Sequence, residues 1–249
     1  MLKKLVLAVG IIGIVQSGFS LTEAQAQMGS AGQDEVAPQP IADPFEPFNQ
    51  AMLSFNLKLD EYILHPVASG YAAILPLGAR QGVGRFFHNI NIAPRLGNKL
   101  LQMKLVGAGK EVGRFVINTT LGGLGFFDVA DSWFGLEASH ADFGQTLGQY
   151  GLSPGPYLVL PFFGPSTVRD AVGLSVDGAM QPMNYLLPTY PETIAARGGW
   201  LMGNAVNFRS LNLELFENVD RFSVDLYGAV QDGYLQQRER IVQEALSEQ

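Results

Sequence analysis

The sequence of 249 residues has no cysteine and only three histidines. Without cysteine the chain can form neither a disulfide nor a thiolate metal site. A catalytic nucleophile usually needs a histidine base, and no serine lies in the Gly-x-Ser-x-Gly turn of hydrolases. The glycine pattern of dinucleotide-binding proteins and a complete phosphate loop are also missing. The sequence therefore predicts a protein that is not an enzyme and needs no cofactor.

Charged residues are scarce as well, at 16% of the chain, and their formal sum is -7. Soluble domains carry about 25% charged residues. Excess negative charge suits neither nucleic acid nor an anionic lipid surface, so no nucleic-acid partner is predicted. Glu137, His140 and Asp142 lie close enough in sequence to hold a metal ion, but no second histidine is near them. Ordinary solvation of a loop explains them better, and no metal site is predicted.

The first residues have the layout of an export signal. Lys3 and Lys4 precede the apolar residues 5–15, and Ala24-Gln25-Ala26 has the small-x-small form of a signal-peptidase site. The apolar run is too short to span a bilayer. We therefore predict a signal peptide over residues 1–26 and, from the polar, Pro- and Gly-containing residues that follow, a flexible tether over 27–42.

Hydrophobic residues are abundant, at 47% with 16 Phe, and 29 residues are Gly. Together with the low charge, this composition fits two kinds of protein. One is a soluble protein with a large core, and the other lies within one leaflet of a membrane. Composition alone leaves both open.

The segment after the tether predicts an amphipathic helix over residues 43–63. Asp43 is placed to cap it, Pro44 suits its first position, and His65-Pro66 should end or kink it. One arc of the helical wheel is apolar, and Leu53 and Leu57 fall outside it. The arc either faces a core or lies in a membrane interface, and its residues are Phe45, Phe48, Ala51, Met52, Phe55, Leu59, Tyr62 and Ile63.

Further helices are predicted over 66–75, 76–90, 94–102, 104–119, 166–178, 192–218 and 220–246, and Asp142 should cap a short one over 143–150. Residues 121–136 are too rich in glycine for a stable helix. One extended segment is predicted over 154–163. The fold class is all-α, with a single helical domain over 43–246.

Two sets of polar residues are candidates for contact with a ligand. Arg85 precedes two Phe residues and could sit under a lipid phosphate, although a solvated arginine on a helix surface explains it equally well. Asn118, Thr119 and Thr120 end a helix beside the glycine-rich stretch. They could line a polar opening, or they could cap and pack that helix end.

Four blocks of sequence resemble the VacJ/MlaA family of outer-membrane phospholipid-transport proteins, in the family's order. They are Asp43-Pro44-Phe45-Glu46-Pro47-Phe48-Asn49 through Phe55-Asn56 and Asp60; Gly113-Arg114-Phe115-Val116-Ile117-Asn118-Thr119-Thr120-Leu121-Gly122; Asp142-Phe143-Gly144-Gln145-Thr146-Leu147-Gly148; and Gly155-Pro156-Tyr157-Leu158-Val159-Leu160-Pro161 with Gly164-Pro165-Ser166 and Arg169-Asp170. The resemblance spans about residues 43 to 235. Within these blocks, Asn56 and Phe143 join the candidates for membrane contact or for a lipid path.

The resemblance implies a ring-like helical protein in the inner leaflet of the outer membrane, on its periplasmic face. A central amphipathic passage would let phospholipids leave the outer leaflet. The lipid would then pass to a soluble periplasmic carrier, and a trimeric porin would be a partner. This retrograde transport would keep the outer membrane asymmetric.

The chain departs from the family in one respect, because family members carry a lipidated Cys at the mature N-terminus and this sequence has none. Attachment would then rest on buried apolar helix faces and on the porin. Two rival functions are an envelope interaction or virulence-type surface protein without lipid transfer, and a phospholipid-cleaving enzyme.

Overall fold

The computed structural model describes residues 43–186, 191–213 and 226–247. The predicted signal peptide and tether lie outside these residues, as do parts of the last two predicted helices. The described helices are α1 Glu46–Leu59, α2 His65–Ile74, α3 Leu77–Ile90, α4 Ile92–Leu101, α5 Leu105–Thr120, α6 Val129–Phe134, α7 Phe143–Gln149, α8 Val168–Ala179, α9 Met183–Leu186, α10 Pro191–Leu211 and α11 Leu226–Ser247. The described strands are β1 Tyr157–Leu160 and β2 Gly164–Thr167.

The helix elements close into a ring. Helix α1 leads into α2, α2 packs on α10, and α10 packs on α3. The circuit continues through α4, α7 and α8 to the two strands, and β1 packs back on α1. Helix α11 packs on α7 and β2. The predicted all-α class and ring-like form are confirmed, with one small two-stranded sheet.

The predicted extended segment is one arm of an antiparallel hairpin. Tyr157 lies opposite Thr167 and Leu160 opposite Gly164. The sequence prediction had placed Ser166 inside the next helix, but it belongs to β2, and α8 begins at Val168. The Thr167 side chain caps α8 by accepting from the backbone N–H of Asp170, which places the helix start after the strand.

The start of α1 differs from the prediction by two residues. Helix α1 begins at Glu46, and Pro47 rather than Pro44 lies in its first turn. Oδ1 of Asp43 accepts from the backbone N–H of Phe45 instead of capping the helix. At the other end the chain continues through a π-helical turn, Asp60–Leu64, into α2. Pro66 closely follows this turn. It has no N–H to continue the helical hydrogen bonds, so the helix is interrupted there by the wider π-turn.

The glycine-rich stretch after α5 is mainly turns, as predicted, but it also contains the short helix α6. Gly123 and Gly125 adopt positive φ, and so does Leu124 between them. Glycine is needed at Gly125 for a second reason, because a Cβ there would lie 2.4 Å from the Asn89 side chain. The close approach fixes this turn against α3.

Helices α7 and α8 approach closely through glycines. A Cβ on Gly173 would lie 2.4 Å from the backbone nitrogen of Gly144. A Cβ on Gly144 would in turn meet Oδ1 of Asp170 at 2.4 Å. The absence of side chains at these two positions lets the helices pack backbone against backbone, and this packing brings their polar side chains together.

Candidate functional site

The described residues are arranged with polar groups inside and apolar groups outside. Among the buried residues, 22 are polar or charged and 13 are hydrophobic. A further 30 large hydrophobic side chains are exposed. A protein in water buries its large apolar side chains, and so many exposed ones indicate a surface that faces something other than water.

Helix α1 shows the arrangement most clearly. Phe48 and Phe55 of its apolar arc, and Phe45 just before its first residue, are exposed by 49, 40 and 43%. The buried face carries Asn49 and Asn56, next to Leu53 and Leu57. The three phenylalanine rings of the arc therefore do not pack into a core, whereas Met52 of the same arc packs against the buried cluster around Leu53.

The two buried asparagines hold the hairpin. Asn49 donates from Nδ2 to the Tyr157 carbonyl at 3.0 Å and accepts from the Val159 N–H at 2.8 Å. Asn56 donates to the Leu160 carbonyl at 2.9 Å and accepts from the Phe162 N–H at 2.7 Å. Each amide replaces a missing neighbouring strand, so the hairpin is attached to α1 by four hydrogen bonds.

Next to the hairpin, a buried ion-pair network joins three helices. We call Arg238, Asp142, Asp170, Arg169 and Tyr234 the Arg238 cluster. Nη1 of Arg238 donates to Asp142 at 2.7 Å, and Nε donates to Asp170 at 3.0 Å. Asp170 also accepts from Arg169 and from the Tyr234 hydroxyl. Burial is the largest influence on the pKa of Asp170 and acts to raise it, but the charges and hydrogen bonds of Arg238 and Arg169 together lower it. The Asp170 carboxylate is therefore held by two arginines.

A cavity of about 350 Å³ lies at the centre of the ring. Its lining comes from the hairpin and from α3, α4, α8, α10 and α11, and includes Asp142, Asp170, Asp177, Tyr234 and Arg238. Burial raises the pKa of Asp177 to about 6, although its oxygens accept from the Phe143 N–H and the Asn98 amide. This first cavity is therefore lined by paired acids and bases and by one carboxyl that titrates near neutrality.

A second cavity of about 360 Å³ adjoins the first. Three arginines and one aspartate line it: Arg85, Arg95, Arg114 and Asp128. Arg114 donates to Asp128 at 2.8 Å, and Arg95 donates to Glu111 at 3.0 Å behind the wall. The charge lining the second cavity is thus positive, unlike that of the first.

Five residues line both cavities, and we call them the shared wall: Gly84, His88, Arg95, His140 and Leu211. The rings of His88 and His140 are 5.7 Å apart between centroids. Loss of hydration lowers the pKa of both, and the charge of Arg95 lowers them further. Both imidazoles are therefore neutral near pH 7 in this structure.

The residues singled out from the sequence fall into three places. Arg85 and Asn118 line the second cavity, while the three phenylalanines of α1 lie on the outer surface. Thr119 accepts from the Asn89 amide at 2.9 Å, and Asn118 donates to Asp128 and accepts from the Ala130 N–H.

The remaining two, Asn56 and Phe143, lie in neither cavity lining. Asn56 bonds the hairpin, and Phe143 starts α7. Asn118 thus both packs the helix end and borders the second cavity, and a role in a lipid path stays a prediction.

Sequence reasoning did not identify His88, His140, Arg95 and Asp177 as site residues. No local motif marks them, because they lie on α3, on α4, on α8 and in the loop before α7, and only the closed ring brings them around one space. The nearest available signal was the scarcity of histidine: the chain has three, and two of them lie side by side in the structure.

None of the described helices is long and apolar enough to cross a membrane. Within residues 43–186, 191–213 and 226–247, no three His, Asp or Glu side chains gather as a metal site would require.

Comparison with known proteins gives a consistent result. The family model described as MlaA lipoprotein matches residues 41–241. The Escherichia coli protein named "Intermembrane phospholipid transport system lipoprotein MlaA" is 35% identical over 216 residues, which are 85% of this chain and 82% of that protein. The protein of the same name from Haemophilus influenzae is 31% identical over 81% of this chain and 76% of its own length. An uncharacterized protein of Rickettsia felis is 35% identical over 86% of this chain and 83% of its own length.

A solved structure, described as "Structural basis for maintenance of bacterial outer membrane lipid asymmetry", has the same fold. It superposes with a TM-score of 0.69 at 32% identity and covers 81% of this chain and all of its own.

Proposed function

Because the chain belongs to the MlaA lipoprotein family, we propose that it moves phospholipid out of the outer leaflet of the outer membrane through the centre of its helical ring. The observation that carries the proposal is the inverted arrangement of the ring. Apolar side chains cover its outside, and polar cavities occupy its centre. Lipid tails can solvate the apolar outside, and a headgroup can pass through the polar cavities.

The outer face of α1 supplies the membrane contact in this proposal. Phe45, Phe48 and Phe55 insert among acyl chains, where their burial recovers the free energy lost by exposing them to water. Phe162 extends the same surface from the hairpin, because its ring lies 5.3 Å from that of Phe55. The protein lies in one leaflet on the periplasmic side, reached by way of the predicted signal peptide.

The direction of transport and the partners are also part of the proposal. The Escherichia coli relative is named for intermembrane phospholipid transport, and the solved structure concerns outer-membrane lipid asymmetry. Both fit retrograde removal, transfer to a soluble periplasmic carrier, and association with a trimeric porin. Transfer of an intact lipid requires no covalent chemistry, which agrees with a protein that is not an enzyme.

A bulky side chain on the shared wall tests whether lipid moves through the centre of the ring. Gly84 lines both cavities, and a Cβ there would lie 3.3 Å from Nδ2 of Asn207 and 3.7 Å from Cδ1 of Leu211, on the neighbouring helix α10. We expect Gly84→Leu to fold, to reach the membrane, and to fail to restore outer-membrane asymmetry to a strain lacking the gene. Outer-leaflet phospholipid and detergent sensitivity are the measurements.

The matched control is Gly78→Leu, on the same helix, where a Cβ meets nothing within 4 Å. It should restore asymmetry fully. If the gene deletion itself leaves the outer leaflet unchanged, lipid transport is refuted and the interaction-protein function is favoured. Release of lysolipid or fatty acid from vesicles by the purified protein would instead indicate an enzyme.

A further inference from the structure

The shared wall is surrounded by polar atoms that the described part of the chain does not satisfy. Nε2 of His88 is buried and has no hydrogen-bond partner there. The same holds for Oγ of Ser139, next to His140, which can donate. Buried polar atoms are nearly always bonded, so these two atoms are available to a partner from outside the chain.

The cation beside these atoms also has bonding capacity left. Arg95 donates from Nε to Glu111 and from Nη1 to the backbone carbonyls of His88 and Asn91. Among the described residues, the hydrogen bonds of Arg95 are therefore made by Nε and Nη1 and none by Nη2. Arg95 is thus held in place on one side by Glu111 and retains a free N–H pair on the wall of both cavities.

We propose that His88, His140 and Arg95 form a binding site for a phosphate group, the phosphodiester of a lipid headgroup on its way between the two cavities. This inference rests on the proposed function and adds to it the point at which the headgroup is held. Two imidazole N–H groups and one guanidinium edge supply donors from three sides, which suits the oxygens of a phosphate.

The electrostatics of the wall favour an anion over a cation. Burial is the largest cause of the lowered pKa of His88, and the charges of Arg95 and Arg114 lower it further. A phosphate beside the two rings, next to Arg95, would offset that repulsion and raise the pKa of both histidines. Binding would then take up protons, so the affinity must increase as the pH falls.

The charged groups around the two rings come from several elements. They are Arg85 on α3, Arg95 and Lys99 on α4, Glu111 and Arg114 on α5, Asp128 before α6, Glu137 and Asp142 in the chain between α6 and α7, Asp170 and Asp177 on α8, and Arg238 on α11. The acids among those that line the first cavity are Asp142, Asp170 and Asp177. The phosphate is therefore expected on the arginine side of the wall, toward the second cavity.

Histidine NMR of the full-length protein in detergent tests the site. The probes are glycerophosphocholine, a phosphodiester that does not titrate in this range, and inorganic phosphate. We expect glycerophosphocholine to shift the ring signals of His88 and His140 and to raise both pKa values, with an affinity that increases ~10-fold from about pH 7.5 to about pH 5.5. His65, which bonds Ser69 and lines neither cavity, is the internal control.

Two variants separate a binding role from a structural one. His88→Gln and His140→Gln should each weaken glycerophosphocholine binding ~10-fold and reduce its pH dependence, whereas His65→Gln should change neither. Ring signals that do not respond to either probe would overturn the site. A response to inorganic phosphate alone would assign the wall to free phosphate and overturn the headgroup assignment.

Failure of this inference is distinguishable from failure of the proposed function. If Gly84→Leu stops transport but glycerophosphocholine does not change the histidine ring signals, the proposed passage is supported and the proposed binding site is wrong. If neither the gene deletion nor Gly84→Leu affects the outer leaflet, the function itself is wrong, whatever the histidines bind.

Discussion

The Arg238 cluster and the shared wall line the same central space, and they differ in how completely their polar atoms are bonded. In the Arg238 cluster every nitrogen of the Arg238 guanidinium donates to a carboxylate. On the shared wall, Nε2 of His88 and Nη2 of Arg95 have no partner among the described residues. A satisfied network holds helices together, whereas unsatisfied donors are available to a ligand. The comparison therefore separates polar groups that hold the helices together from polar groups that can bind a ligand.

The largest effect is expected when the Arg238 cluster loses its central cation. Arg238→Met leaves the carboxylate of Asp142 without a counter-charge and leaves Asp170 with Arg169 alone, which costs about 3–5 kcal/mol of unfolding free energy. Chemical denaturation in detergent measures it. Arg240→Met on the same helix is the control, because its pair with Glu244 is partly exposed, and it should cost less than ~1 kcal/mol. Equal losses in the two variants would contradict the structural role of the cluster.

A second large effect concerns the glycine contact that assembles the Arg238 cluster. In Gly173→Ala the new Cβ collides with the backbone of α7, so helix α8 must move and about 3 kcal/mol of stability should be lost. Gly178→Ala, in the same helix, meets nothing within 4 Å and should gain ~0.5–1 kcal/mol. Thermal melts of the two variants compare them directly. A neutral Gly173→Ala would show that α7 and α8 do not pack as described.

A smaller effect is expected from Asp177, which lies between the two regions. Its folded pKa is about 6, above the roughly 3.9 of an unfolded aspartate. The folded protein therefore binds the proton more tightly, and this stabilisation is present at low pH and is lost as the pH rises through about 6. The loss is on the order of 2 kcal/mol. Carboxyl-carbon NMR checks it, and a midpoint near that of an exposed aspartate would refute it.

The smallest effect should come from the shared wall. In His88→Leu no hydrogen bond of the buried Nε2 is lost, so stability near neutral pH should change by less than ~1 kcal/mol. The lowered pKa of His88 predicts a second result. As the pH falls, the unfolded chain binds the proton before the folded protein does, so the stability of the wild type decreases below about pH 6.5. The stability of His88→Leu should decrease less over the same range. Urea titrations at several pH values measure both, and a loss as large as that of Arg238→Met would remove the distinction between the two regions.

The helices and their approximate bounds could be predicted from the sequence because periodicity and capping are local. Asp142 caps α7 as predicted, by accepting from the Gln145 N–H. The bounds failed where a non-local contact decided them. Ser166 pairs in the hairpin because β1 lies beside it, and Asp43 bonds the Asn49 amide and Gln231 of α11 besides the helix start.

The candidate site could be predicted only in part. Arg85 and Asn118 line the second cavity, but His88 and His140 stand 52 positions apart in the sequence and meet only when the ring closes. Their proximity leaves no local pattern, since α3 and the loop before α7 are joined through α4 and α5.

By itself the sequence determined the helical class, the family and the amphipathic pattern of α1, because these depend on residue type and on spacing along one chain. Periodicity fixes which side chains share a face, but it is the same for a face buried in a core and a face turned to lipid. Only the tertiary structure decided that the asparagine face of α1 binds the hairpin and its phenylalanines point outward. Which face of α1 turns inward is decided by the element that packs on that face. This element is the hairpin, more than a hundred residues further along the chain.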